Sequence, residues 1–176
     1  KFLFFFSGDQ VRFLAKGQTT PGDRTGQESV DYRYPYGRVC IISPFNFPIE
    51  IPLLQLMGAL YMGNRPMLHV DMKVSPVMSY VIGLLLQSGM PPDDMMFING
   101  RGDVINEFLI QSKPDMTMFT GSSRVGEKLS KDLNGKIKIE GGGFNWKIIN
   151  DVRDENINLV LKQCDIDAYE FGGQKC

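Results

Sequence analysis

Short apolar runs alternate with longer amphipathic ones along most of this chain, and that alternation limits the folds open to it more than any other feature. Val39–Ile42 is followed by Ile49–Met62, Met67–Val70 by Val77–Gln87, Met96–Ile98 by Val104–Gln111, and Met116–Thr120 by Val125–Leu133. Runs of three to five apolar residues suit strands buried on both faces, and the longer segments repeat at helical spacing. Strand then helix, four times over, predicts an α/β fold: a Rossmann-like parallel sheet with right-handed crossovers and helices on both faces. Two further apolar runs, Ile137–Ile139 and Trp146–Ile149, precede a last predicted helix over Asn156–Tyr169, with Asn and Asp residues placed as caps.

The segment Gln18–Arg33 is polar and rich in Gly, Thr and Asp, with Pro21-Gly22 as a turn signal. It separates an N-terminal helical piece and polar connection, residues 1–36, from an ordered domain over 37–176. The run Phe2–Phe6 is too short for a signal-peptide core and reads as a helix remnant of a longer protein. The longest membrane candidate, Ile51–Met62, is interrupted by Gln55, so a soluble chain is expected. Nineteen Lys and Arg against twenty Asp and Glu leave a net charge of −1, which argues against a nucleic-acid partner. Three cysteines and no Asn-x-Ser/Thr site fit a reducing compartment better than a disulfide framework. No metal ligand is assigned.

Parallel sheets of this kind bind ligands at the carboxyl ends of their strands, so the chemistry is sought in the turns that follow them. Gly100-Arg101-Gly102-Asp103 lacks the third glycine of the dinucleotide fingerprint, there is no P-loop, and the Arg-Gly-Asp tripeptide is read as a chance occurrence. Four other turns remain. In Phe119-Thr120-Gly121-Ser122-Ser123 a strand ends at the start of a helix, and Ser122 either caps that helix or helps its free amides hold a pyrophosphate. In Ser43-Pro44-Phe45-Asn46-Phe47-Pro48, Asn46 either caps the next helix, with Pro48 at an early position, or donates its amide N–H to a developing oxyanion. Glu140-Gly141-Gly142-Gly143 places a carboxylate at a strand end with bare backbone after it, either a solvent-facing turn or a close approach to a ligand. Gly172-Gly173-Gln174-Lys175-Cys176 sets a thiol after a glycine pair; by itself such a cysteine is as well explained as a small buried hydrophobe.

Taken in order and spacing, these four turns resemble the aldehyde dehydrogenase family, whose landmarks are P-W-N-F-P, F-T-G-S-x-x-x-G, E-L-G-G-K and G-Q-x-C segments. Ser43–Pro52, Leu56–Asn64 and Asp167-Ala168-Tyr169 are similar to the plant-type branch that oxidises pyrroline-5-carboxylate, as glutamate γ-semialdehyde, to glutamate in mitochondrial proline catabolism. The resemblance implies NAD as cofactor, a small aldehyde as substrate, a homo-oligomeric full-length protein, and a mitochondrial location, with the cytoplasm as the alternative. It assigns Cys176 as nucleophile, Asn46 as oxyanion donor and Glu140 as the base that activates water. It assigns cofactor binding to Ser43, Pro44, Phe45, His69, Asp71, Gly121, Ser122 and Gly142.

Two departures qualify the resemblance. His69 stands where the family has a ribose-binding Lys, and a neutral imidazole offers one donor against the ammonium's three, which implies weaker cofactor affinity unless Asp71 or Lys73 compensates. Glu140-Gly141-Gly142-Gly143-Phe144 lacks the family's terminal Lys. In the family, most of the substrate domain lies beyond the catalytic cysteine. A chain stopping at Cys176 would be a fragment, or a truncated module that binds NAD or a subunit and does little chemistry because its own α-carboxylate lies beside the thiol. A general aldehyde dehydrogenase with another substrate is the remaining alternative.

Overall fold

The computed structural model of the protein describes Ala15 and residues 17–175. The expected N-terminal helical piece falls almost wholly outside those residues, and so does Cys176.

The polar connection is more ordered than its composition suggests. Thr19–Pro21 (β1) and Glu28–Val30 (β2) pair antiparallel, closed by a bond from Gly22 N–H to the Gln27 carbonyl at 2.8 Å. Every residue of both strands is exposed, so the pairing buries no apolar face that periodicity could have signalled.

The main sheet has five parallel strands: Arg38–Ser43 (β3), Arg65–Val70 (β4), Met96–Phe97 (β5), Met116–Gly121 (β6) and Ile137–Gly141 (β7), in the order β5-β4-β3-β6-β7. Between them run Glu50–Tyr61 (α1), Ser75–Gln87 (α2), Gly102–Ser112 (α3) and Ser123–Asp132 (α4). Leu56 and Ala59 of α1 and Met78 and Ile82 of α2 bury against Val39, Ile41, Leu68 and Val70 on one face. On the other face, Ile105 and Leu109 of α3 and Leu129 of α4 bury against Cys40, Met67 and Phe119. Helices therefore cover both faces, and the central strands β3 and β4 are apolar in nearly every position because neither of their sides meets water. Pro66 is tolerated inside β4 because Arg65 N–H bonds the Gly37 carbonyl on the β3 side. The next residue faces β5, whose pairing starts only at Met67.

Several boundaries differ from expectation. Helix α1 starts at Glu50 behind Ile49, so Asn46 does not cap it and Pro48 lies outside it. Pro52 occupies the first turn instead, where the missing N–H has no intrahelical partner to lose. Ile137–Ile139 extends into β7, whereas Trp146–Ile149 forms no regular element, with Trp146 89% and Ile148 93% exposed. The last helix, Ile157–Tyr169 (α5), has Asn156 at its N-cap without a side-chain cap bond and no buried residue.

The chain turns to β4 on one side of β3 and to β6 on the other. This reversal opens a crevice between the carboxyl ends of β3 and β6.

Candidate functional site

A cleft of about 350 Å³ lies at that crevice, and three strand ends supply its walls. Pro44, Phe45 and Asn46 follow β3; Thr120, Gly121 and Ser122 end β6 and open α4; Glu140, Gly141, Gly142 and Gly143 end β7. The register pairs Thr120 with Glu140 and Gly121 with Gly141, so the two turns leave the sheet at one level. Gly142 N–H then donates to the Gly121 carbonyl at 2.9 Å, and Ser123 Oγ donates to the Gly142 carbonyl at 2.8 Å. A Cβ on Gly121 would come within 2.8 Å of the Phe119 ring, and one on Gly141 within 2.8 Å of Ser123 Oγ. Bare backbone is thus what lets the turns approach. Glu140 is exposed.

Ser122 occupies the N-cap position of α4, but its hydroxyl makes no cap bond. Ser122 lines the cleft, so the N-terminus of α4, the positive end of its helix dipole, lies at the cleft, a setting suited to an anionic group.

Gly173, Gln174 and Lys175 form the remaining wall, and Asn46 Nδ2 donates to the Gln174 carbonyl at 2.7 Å. The Phe47 and Phe171 rings meet at 5.1 Å between centroids and reinforce the same join. Asn46 Oδ1 is buried without a hydrogen-bond partner, a cost that a donor from a bound molecule would relieve. Sequence motifs thus placed Pro44, Phe45, Asn46, Gly121, Ser122, Glu140 and Gly142 where the structure gathers them.

The other three expected cofactor residues lie elsewhere. Ser43 is 4% exposed, and its carbonyl accepts Asp71 N–H at 3.2 Å. Asp71 Oδ1 accepts Lys73 N–H at 2.9 Å. His69 lines a second, largely apolar cavity of about 250 Å³ with Ile42, Asn106, Phe119 and Lys128, between α3 and α4. Its Nδ1 lies 3.2 Å from the Ile98 carbonyl. A carbonyl only accepts, so Nδ1 carries the proton and Nε2 is left as an acceptor. Burial pushes the His69 pKa down, against smaller upward effects of the Ile98 carbonyl and the Asp71 charge, which keeps the ring neutral at neutral pH.

Gln55, which sequence reasoning did not assign, and Lys73, named there only as a compensation for His69, also contribute. Gln55 Nε2 donates to Thr120 Oγ1 at 3.0 Å, fixing the end of β6 from α1. Lys73 Nζ sits 4.5 Å from the centroid of the Phe45 ring, a cation–π contact at the edge of the cleft. Both are long-range meetings that no local pattern announces. Of the other cysteines, Cys40 is buried and its thiol is pushed up to about 12 by that burial, which makes it inert, while Cys164 is half-buried.

A crevice at the strand reversal, a helix N-terminus with glycines near it, and an Asn and a Glu among its lining residues form one site at the carboxyl edge of the sheet. Over residues 2–176 the sequence matches the aldehyde dehydrogenase family, and the chain belongs to that family. It is 56% identical, over its whole length, to the mitochondrial delta-1-pyrroline-5-carboxylate dehydrogenase 12A1 of Arabidopsis thaliana, and spans 32% of that protein. The chain therefore covers about a third of this relative's length. Among solved structures, an oxidoreductase from Marinobacter aquaeolei superposes with a TM-score of 0.86 over 99% of this chain and 36% of its own, at 24% identity, a likeness of fold. An NADP-dependent glyceraldehyde-3-phosphate dehydrogenase from Bacillus halodurans, complexed with NADP, gives 0.77 over 94% of this chain and 36% of its own, at 29% identity.

Proposed function

We propose that this chain forms the cofactor-binding part of an NAD-dependent enzyme that oxidises glutamate γ-semialdehyde, the open form of pyrroline-5-carboxylate, to glutamate in mitochondria. The observation that carries the reading is the convergence of Asn46, Glu140 and the Gln174-Lys175 segment leading to Cys176 on one cleft.

The residues of that cleft suit a dinucleotide. The α4 amides behind Ser122 and the bare backbone of Gly142 would hold the diphosphate. The cofactor, when bound, supplies a hydride acceptor.

The chain's own groups divide the remaining work. Cys176, as thiolate, would add to the aldehyde carbon, and the electron pair of the carbonyl would pass to oxygen. The free N–H of Asn46 would donate to that oxyanion, where a fixed neutral donor needs no reorganisation as charge develops. Loss of hydride leaves a thioester on Cys176. Glu140 would take a proton from water as the water attacks the thioester carbon, releasing the carboxylic acid and returning the thiolate.

Identity to the Arabidopsis relative supports the semialdehyde and the mitochondrial location. Turnover of the natural full-length protein with NAD, comparing glutamate γ-semialdehyde with aliphatic aldehydes, tests the proposal. A clear preference for the semialdehyde is expected, and a preference for the aliphatics would overturn the substrate assignment.

A further inference from the structure

The segment 142–149 forms part of the cleft wall through Gly142, Gly143 and Asn145, yet little apolar packing holds it there. Phe144 is 95% exposed, and Trp146 and Ile148 are nearly as open. What secures the segment is polar. At its near end Gly142 is bonded to Gly121 and Ser123. At its far end Lys147 Nζ donates to Asp167 Oδ2 on α5 and to the Gln163 carbonyl at 3.4 Å. Gln163 Nε2 donates to Asp167 Oδ1 at 2.9 Å, which completes the clasp.

Helix α5 is itself part of the site's frame. It runs on through Glu170, which pairs with Lys175, to Gln174, whose carbonyl is held by Asn46. Asn145 and Lys175 border both the cleft and a neighbouring cavity of about 450 Å³ that contains Lys147, Cys164 and Asp167. The clasp therefore lies behind the two walls whose spacing sets how Glu140 and the segment before Cys176 face each other.

We propose that Lys147 and Asp167 are a positioning pair for the reaction: by clamping segment 142–149 onto α5 they fix the distance between the Glu140 wall and the Gln174-Lys175 wall. Neither residue of the pair lines the cleft. Its two side chains are each 39% exposed, and ion pairs that open to solvent contribute little to global stability. The hydrogen bonds from Lys147 and then Gln163 hold the Asp167 carboxyl below its usual range, so the pair stays charged at neutral pH. Its effect is on geometry, and misplacement of reacting groups by as little as an ångström is costly in rate.

The proposal rests on the aldehyde-oxidising reading, and the test separates the two. In the natural full-length protein, Lys147→Met and Asp167→Asn are each expected to lower kcat by about tenfold to a hundredfold, with the NAD dissociation constant and the thermal midpoint unchanged. The double variant should be no worse than either single, because both remove one interaction, and Lys147→Arg should restore kcat. Unchanged kcat in the single variants, additive losses, or a fall in the thermal midpoint that accounts for the loss would overturn the pair's role. If the wild-type protein oxidises no aldehyde, the functional reading fails by itself. The pair is then judged by the rate at which iodoacetamide alkylates Cys176: a changed rate in both single variants, restored by Lys147→Arg, supports positioning, and equal rates refute it.

Discussion

Asn46 and Gln174, 128 residues apart in the chain, are joined by a 2.7 Å hydrogen bond from Asn46 Nδ2 to the Gln174 carbonyl. The bond uses one of the two amide hydrogens and aims the other by geometry, so one side chain can both tether the segment before Cys176 and offer a donor to a reacting oxygen. Asn46→Ala should lower kcat on the order of 10²–10³-fold, the loss expected on removing an oxyanion donor, while the NAD dissociation constant measured by calorimetry stays near the wild-type value. Asn46→Asp should be no better, because a carboxylate oxygen would then face the Gln174 carbonyl, acceptor against acceptor. An Asn46→Ala enzyme with wild-type kcat would remove Asn46 from the chemistry.

Gly121 joins β6 to the start of α4, and its missing side chain is required by Phe119. A methyl group there would lie 2.8 Å from the ring's Cζ, and Phe119, only 6% exposed, has little room to move. Gly121→Ala should therefore destabilise the protein by about 1–3 kcal/mol through overpacking, and weaken NAD binding as the turn shifts. Thermal unfolding followed by circular dichroism checks the first effect and calorimetry the second. An unchanged midpoint would mean that Phe119 can give way.

The parallel sheet was legible because β3 and β4 are buried on both sides and so carry unbroken apolar runs, such as Val39–Ile42 and Met67–Val70. The cleft was legible because three of its walls are turns whose residue types are set by local geometry, Gly121 and Gly141 above all. What escaped sequence reading has no local cause. The β1–β2 pair buries nothing, Trp146 and Ile148 stay exposed although apolar, and Lys73 reaches Phe45 only because β3 and β4 end side by side. His69 lies on β4, which lines no wall of the main cleft, and it borders the cavity between α3 and α4 instead.

Burial of His69 gives a pH prediction with a definite sign. Its folded-state pKa lies below the ordinary imidazole value of 6.5, mainly through desolvation, so the unfolded chain binds the proton more readily. The stability linked to this group is fully present above the unfolded pKa and is lost as pH falls from there through the depressed folded value. His69→Gln keeps a donor for the Ile98 carbonyl but cannot titrate. In urea titrations at pH 7.5 and at points below 6.5, the wild-type midpoint should fall more than that of His69→Gln. Parallel curves would show that His69 does not lose solvation on folding.

Phe171 adopts a left-handed backbone, φ 55 and ψ 30, immediately before two glycines that also have positive φ. For a residue with a Cβ that conformation costs roughly 1–2 kcal/mol, and the contact of its ring with Phe47 is what offsets the cost. Removing the ring should therefore have different consequences according to what replaces it. Phe171→Ala loses the ring and keeps the backbone cost, whereas Phe171→Gly loses the ring and relieves it. Amides of residues 170–175 should exchange with solvent faster in both variants, and about fivefold faster in Phe171→Ala than in Phe171→Gly, the ratio that about 1 kcal/mol of local opening gives. Equal exchange, or faster exchange in the glycine variant, would show that the turn before Gln174 is not under backbone strain and that the Phe47 contact has none to offset.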